Sequence, residues 1–84
     1  MLNLRTSNLI IGLKQTLKAI QSDKASTIYL ASDADDFIRK SVQDACAQKN
    51  LEIVYVITMK ELGEACGIDI GASTAAVILN NPAQ

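Results

Sequence analysis

Histidine and tryptophan are absent from this chain, and proline occurs once, at Pro82. Without histidine the sequence lacks the usual general base and the commonest metal ligand, so an enzymatic reading starts at a disadvantage. The two cysteines, Cys46 and Cys66, match no zinc spacing and follow no signal-peptide pattern. Reduced thiols in a cytoplasmic protein are therefore expected. No apolar run approaches the ~20 residues of a membrane span. Rings are scarce as well: only Phe37, Tyr29 and Tyr55 supply them, so aliphatic side chains and alanine must build the core and stability should be modest. With a net charge of -1 and a pI near 5.1, the chain is no general polyanion binder, although a local basic patch stays open.

What is present suffices for one domain over residues 1–84, because 49% hydrophobic content in a chain this short supports a single small core. Residues 1–7 form a lead of about one helical turn, and 8–12 read as a first strand. A helix over 13–22 follows, with Leu13, Leu17 and Ile20 on one face. Residues 27–31 are β-branched and aromatic enough for a buried strand. Ser32, Asp33, Asp35 and Asp36 offer N-caps to a helix over 35–49, whose stripe is Ile38, Val42, Ala45 and Cys46. Asn50 is its stop. Residues 51–57 are apolar except Glu52, which suits a central strand covered on both sides. Thr58 and Glu61 have capping-box spacing for a short helix over 59–66 ending at Gly67. A loop over 68–72, a last strand over 73–79 and a flexible tail over 80–84 complete the chain. The alternation is that of the α/β class, a three-layer α/β/α sandwich on a four-stranded mixed sheet. The short third helix rises only ~12 Å at ~1.5 Å per residue, so the last strand should run antiparallel.

The first helix carries the best-placed cations. At ~100° per residue, Lys14, Lys18 and Gln15 lie on an arc opposite the core stripe. A helix start presents unpaired N–H groups and the positive end of the dipole, and two ammoniums with a carboxamide there make a donor cluster fit for phosphates and guanine edges. The ordinary reading is a solvated helix face. Gly67-Ile68-Asp69-Ile70-Gly71-Ala72 sets two isoleucines in a loop that would normally be polar. Either they plug the open end of the sandwich or they form an apolar platform for a base or a partner side chain. Lys60 stands on the first turn of the short helix as a third cation at the same edge. Asp33-Ala34-Asp35 resembles weakly the nucleophile motif of haloacid-dehalogenase-like phosphatases. That motif wants a threonine where Phe37 stands, so N-capping is the expected role.

Residues 11–20, 30–35 and 62–71 together resemble the kink-turn RNA-binding ribosomal protein family, in particular its small bacterial members of the YbxF type. The resemblance spans about residues 8–79, and its α/β/α sandwich agrees with the element order. It implies a non-enzymatic protein recognising a kink-turn, an RNA helix bent sharply at a bulge beside sheared G·A pairs, where guanine edges hidden in a regular A-form groove become accessible. In that reading Gly12 lets RNA approach the backbone, Lys14 and Gln15 read the G·A pairs and Lys18 supports them electrostatically. Leu13 lies within the same segment. The loop of Ile68, Asp69, Ile70, Gly71 and Ala72 packs on unstacked bulge nucleotides. Archaeal and eukaryotic members carry Asn-Glu in place of Lys14-Gln15, and bacterial members often carry a lysine in place of Ser32, which removes a phosphate contact. The implied partner is ribosomal or regulatory RNA bound by a monomer, with no cofactor, metal, small-molecule substrate or membrane. The alternative from another class is a small protein-interaction subunit using the same sheet edge for an acidic or apolar peptide.

Overall fold

The computed structural model describes residues 3–4 and 8–79. The expected tail over 80–84, and most of the expected lead over 1–7, lie outside these. Seven elements follow in order: β1 Leu9–Ile11, α1 Leu13–Gln21, β2 Ala25–Ala31, α2 Asp36–Lys49, β3 Ile53–Val56, α3 Met59–Cys66 and β4 Thr74–Ile78. The strands make one mixed sheet in the order β1-β4-β2-β3. β4 runs antiparallel to both β1 and β2, while β2 and β3 are parallel. The steps from β1 to β2 and from β2 to β3 go the same way across the sheet, so right-handed crossovers put α1 and α2 side by side on one face. The third helix packs on β2, β3 and β4, giving the three-layer sandwich.

Local chemistry accounts for the helix ends. The Asp35 carboxylate accepts from the Phe37 N–H at 2.9 Å, and Asn50 closes α2 in the left-handed region at φ 57°. Thr58 Oγ1 accepts from the Glu61 N–H at 3.0 Å, and Gly67 closes α3 at φ 81°. Ile20, Ile28, Leu30, Val42 and Leu62 are fully buried, with Cys46 and Cys66 in the same core.

Two expectations change. Residues 51–57 do not form a central strand covered on both sides: β3 is an edge strand, with Val54 44% and Tyr55 52% exposed. The central place goes to β4, which inserts between β1 and β2 and whose Ala75 and Ala76 are fully buried. The second strand also begins earlier than residue 27, because Ala25 pairs with Ile78 across an irregularity in register, beside which Ser26 Oγ donates to the Val77 carbonyl at 2.9 Å.

Candidate nucleic-acid interface

The sheet order gathers the starts of all three helices and the loop before β4 at one edge, since β1, β2 and β3 share a direction and β4 opposes it. Backbone bonds stitch that edge together. The Gly12 N–H donates to the Thr74 carbonyl at 2.9 Å, and the Ala31 N–H donates to the Ser73 carbonyl at 2.8 Å. The 68–73 loop therefore emerges between the start of α1 and the end of β2.

Of the three helix starts at this edge, α1 is the one without a side-chain cap and without an acid in its first turn. Its N-cap is Gly12, at φ 105° and ψ 158°, a region essentially closed to residues with a Cβ. A Cβ built there meets nothing within 4 Å, so the glycine answers a backbone need and leaves open space before the helix. Lys14, Gln15 and Lys18 are exposed, and Leu13 packs partly into the core. The result is a set of uncapped N–H donors flanked by two ammoniums and a carboxamide, suited to acceptor oxygens and ring nitrogens.

Within the loop, side chains that look alike in sequence separate. Ile70 is 75% exposed, Ile68 packs partly against the core, and Asp69 and Gly71 are exposed. Ala72 is buried, and its N–H donates to the Met59 carbonyl at 3.0 Å, so its side chain serves as an anchor beneath the loop instead of lying on its surface. The loop folds back along α3 because Gly63 has no side chain: a Cβ there would lie 2.1 Å from the Ile70 carbonyl oxygen. At the head of α3 the Asp33 carboxylate accepts from the Met59 N–H at 2.8 Å. Asp33 and Asp35 thus cap helix N–H groups, as the capping reading expects. Lys60 is exposed on the first turn of α3. Burial pushes both thiols, Cys46 and Cys66, above the usual range, which leaves them neutral and inert at neutral pH.

One cation escapes sequence reasoning. Lys24, in the connector after α1, shares with Gln15 and Lys18 a shallow cleft of about 180 Å³ floored by Ile10, Ala19 and Ile78. Its Cα is fixed by hydrogen bonds from its N–H to the Ala19 carbonyl and to its own carbonyl from the Leu79 N–H. No periodicity in the sequence relates a connector residue to a helix face, so only the fold brings it there. Among the described residues no helix is long and apolar enough to cross a membrane.

Several known proteins resemble this chain. The chain is 49% identical over 70 residues to an RNA-binding protein of Caldanaerobacter subterraneus, covering 83% of this chain and 85% of that one. It is 36% identical over 75 residues to the RNA-binding protein YbxF of Geobacillus stearothermophilus, covering 89% and 92%. The 15.5 kD RNA-binding protein of Giardia lamblia superposes with a TM-score of 0.75 at 25% identity, over 88% of this chain and 62% of that one. These relatives are named as RNA-binding proteins and not as enzymes. The family model for ribosomal proteins L7Ae, L30e, S12e and Gadd45 matches residues 1–84, and the chain belongs to that family.

Proposed function

We propose that this chain is a non-enzymatic RNA-binding protein that captures and stabilises kink-turns in structured ribosomal or regulatory RNA. The observation that carries the reading is the juxtaposition, at one sheet edge, of the uncapped α1 start bearing Lys14, Gln15 and Lys18 with a loop that holds Ile70 out in solvent. The first part donates to paired base edges and phosphates, and the second offers an apolar surface for unstacked bases. Lys60 stands at the same edge, and Lys24, beyond the far end of α1, continues the cationic surface from Lys18 along that helix. Binding the bent geometry better than the extended one shifts the RNA toward the bend.

A titration of a kink-turn RNA against the same duplex lacking its bulge tests this, with fluorescence transfer between the helix ends reporting the bend. Preferential binding with rising transfer is expected, and equal weak binding to both RNAs rejects the reading. Replacing Lys14 and Gln15 together by alanine should abolish the preference and leave the thermal transition nearly unmoved, because both side chains are exposed. Several contacts go to base edges, so the slope of log K against log salt should stay below about 6.

A further inference from the structure

A second concavity lies away from α1. A groove of about 500 Å³ runs between β3 and α3, lined by Val54, Tyr55, Ile57, Glu61, Glu64 and Ala65. Its strand is an edge of the sheet, unpaired on its outer side among the described residues. The Val56 carbonyl accepts from the Ser32 N–H on the β2 side at 2.7 Å, so backbone alternation turns the N–H and C=O groups of Ile53, Tyr55 and Ile57 outward. Edges are commonly blunted by lysine, proline or a bulge, yet residues 53–57 are Ile-Val-Tyr-Val-Ile with none of these. Ile57 is 73% exposed beside them.

Among the described residues, the charge lining this groove has one sign. Glu61 and Glu64 stand on its α3 wall, no cation lines it, and neither carboxylate joins an ion pair among the described residues. An RNA phosphate chain is repelled here, and a second copy of the protein would set glutamates against glutamates. We propose that the β3 edge and its groove form a second docking surface, which takes an extended segment of a partner protein that alternates aliphatic with lysine or arginine side chains. The partner's main chain adds a strand to β3, and alternate side chains of that strand point to opposite faces of the sheet. Its cations take the α3 face, laying their methylene stems in the groove and their charged heads against Glu61 and Glu64. Its aliphatic side chains take the other face beside Tyr55, whose hydroxyl accepts from Gln43 Nε2 on α2. Since β1 and β3 are opposite edges of the sheet, the segment leaves Gly12 and the α1 start free, and RNA and partner bind together.

The probe is a capped heptapeptide alternating lysine and valine, with a glutamate–valine counterpart as control, titrated into the ¹⁵N-labelled full chain. The lysine peptide should give saturable shifts in the amides of Ile53, Tyr55 and Ile57, and the glutamate peptide should not. Glu61→Gln with Glu64→Gln should weaken the lysine peptide roughly threefold to tenfold, as two exposed ion pairs allow; glutamine at 61 still serves the capping box. Affinity for a kink-turn RNA should be the same for this variant and for peptide-saturated protein. Absent shifts at 53–57, equal shifts from both peptides, shifts there on adding RNA alone, or concentration-dependent shifts without any peptide would each overturn the proposal. Loss of RNA binding with peptide binding intact would reject the RNA reading and leave this one standing.

Discussion

Two buried threonines show how one hydroxyl can serve or burden a core. Thr74 Oγ1 donates to the Tyr29 carbonyl at 2.6 Å, whereas Thr16 Oγ1, on the core side of α1, is buried without a hydrogen-bond partner among the described residues. An unpaired buried polar group costs about 1–3 kcal/mol, and replacing it by an apolar group of the same shape recovers part of that. Thr16→Val should therefore raise the unfolding midpoint, and Thr74→Val should lower stability by about 1 kcal/mol, both read by thermal denaturation. Gly12 presents the complementary case of backbone cost without crowding. Its backbone sits at φ 105° and ψ 158°, and an added Cβ would find no atom within 4 Å. Gly12→Ala should therefore cost about 1–3 kcal/mol through conformation alone. Urea unfolding measures that cost. A glycine could be anticipated there from the break between the apolar run 9–11 and the helix, but the unpartnered Thr16 hydroxyl could not, because periodicity marks a core face without saying what bonds lie inside it.

Among the elements, α3 and the loop after it act as a unit. Gly63 lets the loop backbone close on the helix, the Met59 carbonyl holds Ala72, and Asp33 holds Met59. An alanine in a helix is normally about 1 kcal/mol better than a glycine. Here its Cβ would meet backbone at 2.1 Å, a clash that no side-chain rotation can relieve. Gly63→Ala should therefore displace the loop, with kink-turn RNA affinity falling at least tenfold while the amide spectrum of α1 is retained; affinity unchanged within twofold would mean that Ile70 takes no part. The ends of α3 were legible in the sequence, because the Thr58 to Glu61 spacing and Gly67 encode them locally. The place of β3 was not. Its apolar run reads equally as a covered central strand or as an edge with a sticky face, and the choice was made by β4 entering between β1 and β2. Ile68 and Ile70 were indistinguishable for a similar reason: their separation into core and solvent depends on the fit of the loop against α3.

At the scale of the whole molecule, pH enters through the two thiols, one in a helix on each side of the sheet. Burial pushes Cys46 and Cys66 upward, so the folded state holds these protons to higher pH than the unfolded chain does. The contribution to stability is fully present below the unfolded thiol value, near about pH 8.5. Above it the unfolded chain ionises first and binds fewer protons, and stability falls with rising pH until the folded thiols ionise as well. The thiol part is isolated by difference, with a variant that lacks both cysteines. Urea midpoints at pH 7, 9 and 10 should fall for the natural chain. Cys46→Ala with Cys66→Ala should start lower, having lost buried sulfur, and should fall less over the same interval. Parallel curves for the two proteins would show that the thiols are reached by water in the native state, contrary to their nearly complete burial. The edge proposed to bind RNA carries neither cysteine, so kink-turn affinity of the folded natural chain should not follow this thiol-linked loss between pH 7 and 9.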